Sequence, residues 1–163
     1  MEQGKLFDMI RYNPKSLLSI DNPTNEMKLA AVKANGLLLE FIDNPSVELQ
    51  ETAIENDVRA IKFIDNPTEA MMRKAVEDNW VNLEFIKNPT DEIIRLAINQ
   101  AGWAIRYVKN PSEELMLAAV RRNYDAIRFI EEPSARIQEE AVSISYEALR
   151  YIKAPTLRAE QIA

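Results

Sequence analysis

Chemistry in this chain would have to come from carboxylates. Histidine and cysteine are both absent, which removes the commonest general base, the usual nucleophile pairs and the usual zinc donors. The adjacent glutamate pairs are Glu113-Glu114, Glu131-Glu132 and Glu139-Glu140. Helical neighbours diverge by about 100°, so such pairs do not converge on one substrate atom. They read as solvated helix faces, with acids favoured near helix N-termini. A magnesium or calcium site would need an Asp-rich loop with glycine at a set spacing. The glycines are Gly4, Gly36 and Gly102, in no such loop and in no phosphate-cradling run. The expectation is a protein that is not an enzyme and carries no cofactor and no metal.

What remains is aromatic and basic, and it recurs at a fixed spacing. One register reads Gly36, Val58, Trp80, Gly102, Tyr124, Tyr146, and the next reads Leu37, Arg59, Val81, Trp103, Asp125, Glu147. Trp and Tyr are enriched where partners bind, so Trp80, Trp103, Tyr124 and Tyr146 are candidate partner anchors. The bland alternative is that Trp80 and Tyr124 pack between neighbouring turns. Trp103 is the stronger candidate, because its register neighbours are partly charged. A further register reads Glu40, Lys62, Glu84, Arg106, Arg128, Arg150, and beside it run Asp43, Asp65, Lys87, Lys109, Glu131, Lys153. With helices packing about 10 Å apart, Arg106, Arg128 and Arg150 would form a row with Lys109 and Lys153. Such a row would grip an acidic protein segment or a phosphate backbone. Its bland alternative is solvated surface tied to acids of adjacent copies. The net charge is −6, from 26 acids and 20 bases. That balance argues against general nucleic-acid binding, which shows a basic footprint, and permits a local one.

These registers exist because the chain repeats. Proline stands at Pro23, Pro45, Pro67, Pro89, Pro111, Pro133 and Pro155, every interval being 22 residues, the mark of a repeat architecture. Asn22, Asn44, Asn66, Asn88 and Asn110 each precede the proline, which predicts an Asn N-cap with Pro at the first helical position. Glu69 and Glu113 would then complete capping boxes. An apolar stripe follows at i, i+4, i+5, as in Met71, Ala75 and Val76 or Leu115, Ala119 and Val120. This is one face of a helix, predicted over about Pro67–Asp78 in the reference copy, with the small Ala implying close helix approach. The helix should stop near Asn79 and its equivalents, where Asn and Gly tolerate a left-handed closing residue. A second apolar group follows, such as Leu83, Phe85 and Ile86. Short apolar runs are ambiguous; six residues before the next Asn-Pro favour a turn or two of α or 3₁₀ helix over a strand.

Residues 1–21 read as a divergent N-terminal cap, 22–153 as six full copies, and 154–163 as a partial one with a short last helix. The fold class expected is all-α: one α-solenoid domain of about seven short two-helix repeats, gently superhelical and right-handed. The N-terminus shows no secretory pattern and no apolar run approaches a membrane span, so the expected setting is cytoplasmic, without a membrane.

The stretches Lys28-Leu29-Ala30-Ala31-Val32-Lys33-Ala34-Asn35-Gly36 and Leu117-Ala118-Ala119-Val120-Arg121-Arg122-Asn123-Tyr124 resemble the leucine-rich-repeat-variant unit of one α-helix and one 3₁₀-like helix. They are also similar to Ala-Ala-Val-x-x-Asn-Gly tandem repeats of uncharacterised bacterial and phage proteins. The likeness spans about residues 22–155 and bears on architecture. The variant family's cysteine cluster has no counterpart here, so its iron–sulfur site is not carried over. Non-catalytic recognition of a protein along one face is the expected function, with the phage likeness implying a protein that occupies a host protein. Phosphate-backbone binding through the Arg/Lys row is the alternative, and self-assembly through terminal repeats to a homo-oligomer is the third.

Overall fold

A computed structural model describes residues 3–163, whose regular elements are all helices, with no strand among them. Seven α-helices each lead into a six-residue 3₁₀ helix, and an eighth follows. They run α1 (Gln3–Tyr12), η1 (Pro14–Ser19), α2 (Asn25–Ala34), η2 (Gly36–Phe41), α3 (Val47–Asn56), η3 (Val58–Phe63), α4 (Glu69–Asp78) and η4 (Trp80–Phe85). Then come α5 (Asp91–Gln100), η5 (Gly102–Tyr107), α6 (Glu113–Arg122), η6 (Tyr124–Phe129), α7 (Ala135–Ile144), η7 (Tyr146–Tyr151) and α8 (Leu157–Ile162). The all-α helical-repeat architecture is thus the one the period predicts, and the second element is 3₁₀ helix rather than strand. Contacts gather into two compact units, the first running to Asp78 with Phe85–Lys87, the second holding Asn79–Glu84 and Asn88–Ala163.

Within each unit the core follows the stripe. In the first, Met27, Ala31 and Val32 of α2 are buried, as are Leu49, Ala53 and Ile54 of α3. In the second, Leu115, Ala119 and Val120 of α6 and Ile137, Ala141 and Val142 of α7 are buried. The alanine is wholly buried in each of these helices. A 3₁₀ helix has three residues per turn, so residues i and i+3 eclipse. The third and fourth positions turn inward, as Ala60 and Ile61 do in η3 and Ala126 and Ile127 in η6. The second and fifth then lie together on the outside.

The helix starts differ from the Asn-Pro reading. The N-cap is the Ser or Thr after the proline: Thr24 Oγ1 accepts from the Met27 N–H at 3.3 Å, and Ser112 Oγ from the Leu115 N–H at 3.3 Å. Asn22, Asn44 and Asn110 instead take φ of 53°, 48° and 48°. Proline expels its predecessor from the right-handed α region, and Asn is the non-glycine residue that best tolerates the left-handed one. The Asn-Pro pair is therefore a turn leading into the cap. Glu69 and Glu113 open their helices, two residues short of where a capping box would need them. Asn as cap and Pro as first helical residue does occur once, at Asn13-Pro14 of η1.

The stops differ too. Asn35 is not left-handed but extended, with φ −150°. Its N–H closes α2 on Ala31 O at 2.9 Å, and its carbonyl opens η2 by accepting from Leu38 N at 3.1 Å. Its side chain caps η2 through the Leu37 N–H at 3.2 Å. One residue therefore ends one helix and starts the next. Glycine after this residue serves space rather than dihedral freedom. A Cβ on Gly36 would lie 2.4 Å from Ala53 O, and one on Gly102 2.2 Å from Ala119 O. Both amides donate to a side chain of the next copy, Gly36 N–H to Asn56 Oδ1 at 2.7 Å and Gly102 N–H to Asn123 Oδ1 at 2.9 Å.

Two substitutions check this account by denaturant unfolding. Ser112→Ala removes a cap and should cost about 1 kcal/mol. Gly102→Ala forces backbone apart and should cost about 1–3 kcal/mol, although alanine is the better helix former.

Candidate functional site

The second unit carries most of the candidate residues on the outer faces of η5, η6 and η7. Eclipsing places Trp103 with Arg106 on η5, Asp125 with Arg128 on η6, and Glu147 with Arg150 on η7. Trp103 is 39% exposed, and its indole N–H donates to Asp125 Oδ1 of the next copy at 2.8 Å. The other oxygen of Asp125 accepts from Arg128 Nη2 at 2.7 Å, and Arg128 Nε donates to the Asp125 carbonyl at 3.0 Å. An exposed indole is thus fixed from below by a carboxylate that an arginine holds.

The arginines also stack. The Arg106 guanidinium lies 5.3 Å from the Tyr107 ring centroid and 5.0 Å from that of Phe129. Arg128 repeats the arrangement one copy on, 5.9 Å from Phe129 and 4.2 Å from Tyr151. Cations and rings alternate across three successive 3₁₀ helices. These rings belong to the second apolar group of each copy and sit at its surface edge, half-buried under the arginines. The structure therefore adds Tyr107, Phe129, Tyr151, Asp125 and Glu147 to the surface, and the trace of it in the sequence is the arginine that precedes each ring.

The remaining candidates divide. Trp80 is half-buried, its ring 6.2 Å from that of Tyr107 and tilted by 37°. Tyr124 is half-buried, its hydroxyl donating to Glu147 Oε2 at 2.6 Å. Tyr146 is 68% exposed. Lys109, Arg150 and Lys153 are exposed, and among the described residues neither they nor the Arg106 side chain enters an ion pair or hydrogen bond. The arginine row is thus uneven: Arg128 is neutralised by Asp125, Arg106 lies against rings, and Arg150 points free. In the first unit the neighbouring register forms a salt bridge between copies, Lys87 to Asp65. That ammonium holds the Asp65 carboxyl below its ordinary range.

Among the described residues no group of three or more acids could hold a metal ion, and no helix is long and apolar enough to cross a membrane. No family model, curated protein or solved structure matches the chain.

The Tyr124–Glu147 contact gives a measurable pH effect. Hydrogen bonding to the Glu147 carboxylate favours the neutral phenol, and burial and the carboxylate's charge act in the same sense. The Tyr124 pKa is therefore raised above its ordinary value near 10. A folded-state pKa above the unfolded one means that the contact stabilises fully below the unfolded value and is lost as pH rises through the folded one. Urea unfolding of wild type and Tyr124→Phe from neutral to strongly alkaline pH should show a constant gap up to about pH 10. Above that the wild type should lose its advantage.

Proposed function

We propose that the chain is a non-catalytic recognition scaffold that binds a protein partner through the outer 3₁₀ face of its second unit. The observation that carries this reading is Trp103. Its indole is exposed yet already oriented by Asp125, which Arg128 holds in turn. A large side chain fixed before binding loses little freedom on association, and such aromatics dominate interface energies. The stacked Arg106 extends the same face, and Tyr146 stands exposed in the same unit. The rings beside it have arginines over them, whereas base-stacking platforms offer open rings. The net charge of −6 also favours a protein target over general nucleic-acid binding.

Two finer points belong to this proposal. The setting is cytoplasmic. The partner is a host protein occupied by a phage or mobile-element protein, a reading that rests on the Ala-Ala-Val-x-x-Asn-Gly resemblance. A second reading, phosphate-backbone binding, draws on the unpaired Arg106, Lys109, Arg150 and Lys153. A third, self-assembly through the C-terminal copy, draws on Leu157, 78% exposed on α8.

Affinity capture from lysate of the source cell, with and without nuclease, separates them. A stoichiometric protein should survive nuclease and salt, and Trp103→Ala should weaken its binding about thirtyfold, the effect of losing a hot spot of about 2 kcal/mol. Retained nucleic acid, lost in salt and lost in Arg106→Glu/Arg150→Glu, would replace this proposal with the second. A size that grows with protein concentration, without a captured protein, would replace it with the third.

A further inference from the structure

The first unit has a groove that recurs at the repeat spacing. One groove of about 290 Å³ is lined by Leu18, Lys28, Phe41 and Asp43 among others. Its neighbour, about 420 Å³, is lined by Asp43, Gln50, Phe63 and Asp65 among others. Both include Ile42 and Asp43, so they form one trough with Asp43 at the junction.

The second unit shows what such a ring accepts. There the arginine of one copy lies over the ring of the next: Arg106 over Phe129 at 5.0 Å, and Arg128 over Tyr151 at 4.2 Å. At the matching register in the first unit, the residue of the preceding copy is Leu18 for Phe41 and Glu40 for Phe63. Phe63 has its own Lys62 at 4.7 Å. Phe41 has no cation over it among the described residues and is 57% exposed, with Leu18 beside it 51% exposed. Glu40 and Asp43, on either side of Phe41-Ile42, are exposed and in no ion pair among the described residues. A negative ring face that shares its groove with the Asp43 carboxylate and apolar surface suits a guanidinium with its aliphatic stem.

We infer that this trough docks an arginine-bearing extended segment of a partner protein, the guanidinium lying over Phe41 and paired with Asp43. The surface is distinct from the Trp103 face and stands or falls without it. Lys28 is the one cation in the lining of the first groove and opposes such a ligand. The matching position is Gln50 in the next groove and Met116 in a third groove of the same register, which also holds Arg106 and Phe129.

The probe is an eight-residue, fluorescein-labelled peptide of glycine and serine carrying two arginines, titrated by anisotropy against the full chain at low salt. A matching peptide with two glutamates is the control. The arginine peptide should bind and the glutamate peptide should not. Phe41→Ala should weaken binding at least about threefold, the scale of an exposed cation–π contact, with unchanged circular dichroism because the ring is exposed. Lys28→Met should tighten it, a gain that loss of folding cannot imitate. Trp103→Ala should leave it unchanged. Equal binding of the two peptides would overturn the inference. So would insensitivity to Phe41→Ala and Lys28→Met, or a loss in Glu55→Lys, at the far end of α3, as large as that in Asp43→Lys. A dimer abolished by Phe41→Ala would assign the trough to a second copy instead, and overturn it too.

Discussion

The wholly buried alanine of α2 to α7 sets the distance at which consecutive copies approach. Ala31, Ala53, Ala119 and Ala141 have no exposed surface, and the carbonyl of each accepts the amide that ends its own helix. At Gly36 and Gly102 the backbone of the preceding 3₁₀ helix comes so close to that carbonyl that a methyl group would collide with it. A larger residue in place of the alanine would force neighbouring copies apart, and stacked repeats draw their stability from that interface. The inward positions are consequently held to a narrow set of sizes. The outward second and fifth positions of each 3₁₀ helix are under no such restriction, and there the copies differ in size and in the sign of their charge.

Much of this was legible in the sequence. The 22-residue interval, the i, i+4, i+5 stripe and the six-residue allowance for a second element locate two helices per copy to within a residue or two. The termini were misread for a physical reason. Asn before Pro satisfies the preferences for an N-cap as well as those for a left-handed turn, and local preference alone does not choose. The hydroxyl of Thr24 or Ser112 decides it, because it lies where the third helical amide can donate to it. Asn35 was read as a left-handed stop for the same cause, since Asn also caps, and the 3₁₀ helix that begins immediately after it needs the extended conformation.

The candidate surface was legible as a set of registers and not as a set of contacts. Arg106, Arg128 and Arg150 are one row in the sequence, yet each is in a different electrostatic state. What separates them is the residue in the eclipsed position and the ring one copy on. Asp125 ties Arg128, Trp103 gives Arg106 no carboxylate, and Phe129 and Tyr151 take the guanidiniums. The aromatic register was harder still. A phenylalanine between two buried aliphatics looks like core, and only the three-residue turn of the 3₁₀ helix moves it to the surface edge.

The same register therefore carries two chemistries. In the second unit, cations from one copy cover the rings of the next, and the surface is closed on itself except at Trp103, Tyr146 and the unpaired bases. In the first unit, Leu18 and Glu40 stand where those cations would come from, and Phe41 stays open beside Asp43. Because the backbone geometry is common to both, the difference lies in a few outward side chains rather than in fold. A repeat built this way changes its surface chemistry from copy to copy without disturbing the alanine-spaced core, since an exposed substitution there touches neither the caps nor the stripe.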